Sequence, residues 1–313
     1  MQLATVDDLF TKCPDLEQVI SDIHTRLVAE GTLGSIAHAS VSHALAYPVR
    51  QRSLVGYIHK IHLQTLRSGM DDDQAAFHRS ASGPGAAAFL EPPLDERWVM
   101  TGKRFSTAVL RRLGQDFPMC SEIPASPPIC SNTTATGRVC GVTCDARGMH
   151  CEVCAPGGGL IQRHDSMVRC LGVLASRSLD PRPRLEQIIP ELARPVRGQI
   201  GQARLDVIAH DGANRLLIDV VVSSPYAGGP EFRAACARRD GHACRRAAIA
   251  KRQRYPTEDL VPFAVETGGR LGTDARALLA RMAQAAEEPD REIQYLQRAV
   301  SSILQDGVAR QLL

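Results

Sequence analysis

The stretch Ala203–Pro225, "ARLDVIAHDGANRLLIDVVVSSP", sets two apolar runs on either side of a polar turn containing Gly212. Val-, Ile- and Leu-rich runs broken by Asp-Gly and Asn read as a β-hairpin. Each run gives one apolar place to an aspartate, Asp206 and Asp219. A four-residue loop from Asp211 to Asn214 puts the two carboxylates directly opposite, with Cβ atoms about 5 Å apart. A two-residue Asp211-Gly212 turn instead sets Arg204 against Asp219 and leaves Asp206 diagonal, at roughly 7 Å. Strand side chains alternate with period two, so both registers keep the acids on one face.

Two like charges among hydrophobic side chains need compensation. Arg204 can neutralise Asp219 with nothing bound, or a divalent cation can satisfy both acids. Mg2+ or Mn2+ is held by one or two carboxylates with water and substrate phosphate, so the pair suits phosphodiester cleavage. Upstream, "RLEQIIPELA" offers Glu186 and Glu191 as a third carboxylate. Downstream, residues 232–256, "FRAACARRDGHACRRAAIAKRQRYP", are strongly basic. Gly241 interrupts that run, which predicts one helix from about Ala243 to Arg254. Its Arg245, Arg246, Arg252 and Arg254 are candidates to follow a phosphate backbone.

A second centre precedes the hairpin, in "VCGVTCDARGMHCEVCAPGGGLIQRHDSMVRC" from Val139. Zinc takes four sulfur or imidazole ligands in a tetrahedron, and Cys140, Cys144, His150 and Cys154 supply a Cys3His set. Cys151 competes with Cys154 for the last place, and His164 and Cys170 are later candidates. Cys170 also falls on a helical apolar pattern with Met167, Leu171 and Leu174.

The chain has 313 residues and 44% hydrophobic content, enough for more than one core, and its formal net charge is only +3. Aromatics make up 4%, which argues against a single-strand binder built on stacking platforms. No apolar run approaches the roughly 20 residues of a membrane helix, and "MQLATVDDLF" lacks the pattern of a signal peptide, so an intracellular chain with no membrane partner is expected. Residues 1–119 read as a helical region. There "GMDDDQAAF" caps a helix, and His24, His38, His43, His59, His62 and His78 read as ordinary surface or half-buried histidines. Residues 120–155 read as a Pro- and Cys-rich linker and zinc-knuckle-like segment, and 156–313 as a mixed sheet flanked by helices, an α/β fold. Two amphipathic helices close the chain, at "TDARALLARMAQAAE" and "PDREIQYLQRAVSSILQDGVARQLL".

Cys140, Cys144, Asp145, Gly148, His150 and Cys154 come first, followed by "GGG" at 157–159 and Arg163-His164. Then come Glu186 in "EQIIPE", "RLD" at 204–206, "IDVVV" at 218–222, "KRQRY" at 251–255 and "LVPFAVETGGRLG" at 260–272. In this order they resemble the restriction-like endonuclease region at the C-terminal end of non-LTR retrotransposon polyproteins, which has the PD-(D/E)XK nuclease fold. The similarity runs from about Arg79 onward. It implies that Asp206 and Asp219 bind the metal, with Glu186 as a third acid. It also implies that Lys251, on the later helix, orients the attacking water, because Val221 sits where a strand lysine is expected. Leu205 departs from the family by replacing the proline before the first aspartate, and no reverse-transcriptase motif is present.

The expected function is therefore metal-dependent strand nicking of DNA by an enzyme of retrotransposon origin, with Zn2+ as a second metal, RNA as a further possible partner and a nuclear location. The alternative is a catalytically inactive zinc-knuckle fragment that binds nucleic acid. It predicts an Arg204–Asp219 ion pair.

Overall fold

The computed structural model describes residues 63, 65–115, 129–196 and 199–313. The helical reading of residues 1–62 and the Pro-rich stretch 116–128 lie outside the described residues. Residues Met70–Leu313 form one compact unit. The boundaries expected near residues 120 and 156 fall inside it.

The unit opens with α1 (Asp72–Ser80), whose N-cap Asp71 accepts from the Gln74 amide while the Gln74 side chain accepts from the Asp71 amide. This reciprocal capping box is why three consecutive acids stand there. Next come α2 (Gly102–Arg112), the short α3 (Met149–Val153) and the long α4 (Gly159–Ser178). Strand β1 (Arg184–Ile188) leads to a separate two-stranded ribbon of β2 (Arg194–Val196) and β3 (Gln199–Gly201). The hairpin follows as β4 (Arg204–Asp211) and β5 (Asn214–Ser223). Helices α5 (Pro230–Arg238) and α6 (His242–Arg254) cross over to β6 (Leu260–Glu266), and α7 (Thr273–Gln284) and α8 (Pro289–Leu312) end the chain.

The main sheet has the order β1-β4-β5-β6, with β1, β4 and β5 antiparallel and β6 parallel to β5. A parallel pair needs a crossover, and α5–α6 supply it. Gly241 sits between those two helices at φ 66°, a conformation that costs an L side chain energy, so the break falls where the sequence predicts it.

The hairpin register pairs Asp211 with Asn214 and runs to Val207 opposite Ile218. Of the two registers the sequence allows, this is the one that aligns Asp206 with Asp219. The ladder stops one residue short of them, because the Val220 amide donates to Asp206 Oδ2 at 2.6 Å instead of to a strand carbonyl. One sheet face packs Val207, Ile218, Val220 and Phe263 against Met167, Leu171 and Leu174 of α4, Leu279 and Met282 of α7, and Leu296 and Leu304 of α8. A second buried cluster gathers Leu205, Ile208 and Leu217 with Tyr255 and Leu260. Cys170 is wholly core at 2% exposure, which removes it as a zinc candidate. Among the described residues no helix is long and apolar enough to cross a membrane.

Candidate metal centres and the carboxylate pair

Residues 129–143 fold back on themselves, with bridges between Ile129 and Thr143 and between Thr133 and Val139. Thr134–Gly137 make the tip, where the Gly137 amide donates to the Thr134 carbonyl. This puts Cys130 and Cys140 on opposite arms of the turn-back. Gly148, at φ 70°, then turns the chain into α3. The Asp145 carboxylate accepts from the amides of Arg147, Met149 and His150, fixing the turn that presents His150.

The sulfur and imidazole atoms of Cys130, Cys140, His150 and Cys154 all lie within 4.8 Å of one another. The Cys130 and Cys154 sulfurs are 3.6 Å apart, and Cys140 Sγ is 3.4 Å from His150 Nε2. A zinc tetrahedron has sulfur–sulfur edges of about 3.8 Å and sulfur–nitrogen edges of about 3.5 Å, so both of these separations are close to its edges, and the four side chains could hold Zn2+. Asn132 donates to Cys154 Sγ at 3.4 Å and supports that ligand from outside.

This corrects the sequence reading at one position. Cys130 is the fourth member of the cluster that could hold a metal, and Cys144 is not in it. Cys144 keeps company with Cys151, whose thiol is pushed up to about 12 by burial and the neighbouring Cys144, and neither belongs to the four-residue cluster. Cys130 was hidden in the Pro/Ser/Thr stretch read as linker. No local spacing marks it, because Cys130 lies ten residues before Cys140 and is brought back only by the turn at 134–137.

The second centre lies on the sheet. Asp206 is 9% exposed and Asp219 2%. Lys251 Nζ donates to Asp219 Oδ1 at 2.9 Å. On α6, Cys244, Ala248, Lys251 and Tyr255 recur at helical spacing and share the inward face, which is why this cation points at the sheet. Arg245, Arg246, Arg252 and Arg254 are exposed on the rest of the helix. Arg252 is held by Asp274 at 2.6 Å, while Arg246 lies over the Phe232 ring and Arg254 over Tyr255.

From α4, His164 Nε2 approaches Asp206 Oδ2 at 3.3 Å, with Nδ1 3.3 Å from Asp165 Oδ1. The hydrogen bond to Asp206 raises the His164 pKa above its ordinary value, against burial. Burial opposes ionisation of Asp206, yet His164, Asp219 and the Val220 amide outweigh it and hold that carboxyl low. Asp219 goes the other way. Burial pushes it up to about 6, Lys251 pulls it part of the way back, and the Asp206 charge adds to the rise. Asp219 Oδ2 is buried and has no hydrogen-bond donor.

Glu186 does not join this pair. It sits in β1 with φ 52°, exposed, and forms an ion pair with Arg204, which in turn leaves Asp219 to Lys251. The positive φ turns its side chain away from the alternation expected of the strand. Glu191 pairs with Arg215 at 2.8 Å. Among the described residues the Cys/His set is the only group of three or more metal-ligating side chains, so the two aspartates stand without a third carboxylate.

A buried polar network joins the two centres. Glu152 of α3, 1% exposed, accepts from Arg111 Nε at 2.6 Å and from Ser224 Oγ at 3.3 Å, just past the end of β5. Its carbonyl accepts from Arg163 Nη1 at 3.4 Å, and Arg163 is the residue before His164. No known protein family and no curated protein matches the chain.

Proposed function

We propose that the chain is a metal-dependent endonuclease that nicks DNA strands, with a PD-(D/E)XK-type centre of retrotransposon origin. The observation that carries this reading is the meeting of Asp206, Asp219 and Lys251 from β4, β5 and α6. Two buried carboxylates on the central strands of a sheet, one of them with a raised pKa and paired with a lysine from a helix, are the kind of arrangement that clusters at functional sites.

Asp206 and Asp219 would hold Mg2+ or Mn2+. The donor-free Oδ2 of Asp219 is a ligand atom of the right kind, and water with phosphate oxygens would complete the shell. A bound divalent ion polarises the phosphoryl oxygen and makes water more acidic. Lys251 stands where it can orient the attacking water and stabilise charge developing on the phosphate. Arg245, Arg246 and Arg254 offer exposed cations to the flanking backbone, for DNA or RNA alike. Zn2+ at Cys130, Cys140, His150 and Cys154 serves structure, because four protein ligands leave no open position for chemistry. A nuclear location follows from a DNA substrate.

The test is nicking of supercoiled plasmid with added Mg2+ by the zinc-loaded chain, beside Asp219→Ala and Lys251→Ala. Metal-dependent nicking that falls by about a hundredfold or more in both variants supports the enzyme. A folded, zinc-loaded chain that binds plasmid without nicking it is the inactive nucleic-acid binder instead.

A further inference from the structure

Two donors converge on a single oxygen of Asp206. The Val220 amide lies 2.6 Å from Oδ2 and His164 Nε2 lies 3.3 Å from the same atom. A carboxylate held by two donors at Oδ2 would meet a cation through Oδ1, on the side of Asp219. The imidazole is itself fixed. Its Nδ1 faces Asp165 Oδ1 at 3.3 Å, and the preceding residue, Arg163, is 4% exposed and tied to Gln311 Oε1 at 2.5 Å and to the Glu152 carbonyl. A histidine that merely decorated the surface of α4 would have no need of this double anchorage.

We propose that His164 is a positioning residue for the nuclease centre: backed by Asp165, it orients the Asp206 carboxylate so that its second oxygen meets a divalent cation. The proposal rests on the nuclease reading for the identity of that cation's task. Outer partners of ligating carboxylates and histidines typically change metal affinity by about 10- to 100-fold when removed.

The test uses the full zinc-loaded chain, as wild type, His164→Ala and His164→Gln. Two quantities are read: Mn2+ affinity by calorimetry without DNA, and the Mg2+ concentration giving half-maximal plasmid nicking. Alanine is expected to weaken Mn2+ binding about 10- to 100-fold and to raise the half-maximal Mg2+ concentration by the same factor. The rate at saturating Mg2+ should stay within about threefold of wild type, since ground-state metal binding alone is lost. Glutamine, whose amide nitrogen reaches the place of Nε2, should recover most of the affinity. Unchanged Mn2+ affinity in His164→Ala overturns the proposal, and so does a nicking defect in both variants with metal affinity intact. A wild-type chain that binds Mn2+ in a His164-dependent way but never nicks keeps the positioning role and removes the nuclease reading. A chain that neither binds Mn2+ nor nicks removes both.

Discussion

Asp219 carries opposing demands in one side chain: it is 2% exposed, yet the metal-binding role proposed for it requires a charge. Its pKa of about 6 lies above the ordinary value of 3.8. An acid with a raised folded-state pKa holds its proton more tightly folded than unfolded. Its contribution to stability is therefore complete below about pH 4 and is lost as the pH rises through about 6. Asp219→Asn should accordingly stabilise the Mg2+-free protein at pH 8, by up to about 3 kcal/mol, and give no gain at pH 4. Thermal melts at the two pH values check the sign. Adding Mg2+ should narrow the gap at pH 8 by favouring wild type alone. The two aspartates were legible in the sequence because strand alternation keeps them on one face in either register. Lys251 was legible only through the family resemblance, because a basic run does not say which cation turns inward. Glu186 was misread because nothing in "RLEQIIPELA" announces a left-handed backbone at that residue, and His164 was read as a late zinc candidate when its partner is Asp206.

At the scale of the element, the turn-back at 129–143 and α3 form a small unit whose fold is defined by four ligand atoms. Neither piece has much apolar surface: Ile129, Val139 and Val142 are all exposed. A bound zinc would therefore supply much of the ordering energy for this segment. Cys130→Ser should lose the tightly held zinc equivalent, while Cys144→Ser should retain it, as measured by metal content after dialysis. The reverse result would restore the ligand set read from the sequence. The spacing misled because a near cysteine is a better guess than a far one unless the chain between is known to turn back. "SNTTATG" supplies that turn, through the Thr134 carbonyl and Gly137, but it reads equally well as a linker. The helices α1, α6, α7 and α8 were predicted well, since capping acids, Gly241 and amphipathic spacing are local signals that tertiary packing did not override.

Across the described unit, the ion pair of Arg111 and Glu152 connects α2, the segment with the Cys/His cluster and the end of β5. Both side chains are nearly sealed, at 5% and 1% exposure for the residues. A buried pair contributes little as a pair, but breaking it strands a charge. Glu152→Ala should cost about 3–5 kcal/mol, leaving Arg111 without its carboxylate, and Glu152→Gln less. The single tryptophan, Trp98, is buried with its indole donating to Tyr295 Oη at 3.2 Å, and it lies far along the chain from Glu152. If the 70–313 unit unfolds as one, the Trp98 fluorescence transition and the far-ultraviolet transition shift together in Glu152→Ala, by on the order of 10 °C. Separate shifts would show that the zinc segment melts on its own. This network had no counterpart in the sequence reading, because its members are spread from residue 111 to residue 267 and share no period.

The lysine of the carboxylate centre rides on the crossover helix and not on the strand that bears its acid. That separation loosens the evolutionary tie between them. Strand β5 can exchange one branched residue for another at Val221 without touching the charge, and the crossover can lengthen, shorten or slide a basic residue by a turn, provided one ammonium still reaches Asp219. Two descendants of a common ancestor can keep the same centre and share no fixed interval between acid and base. Any search that counts residues from one to the other passes over such a pair.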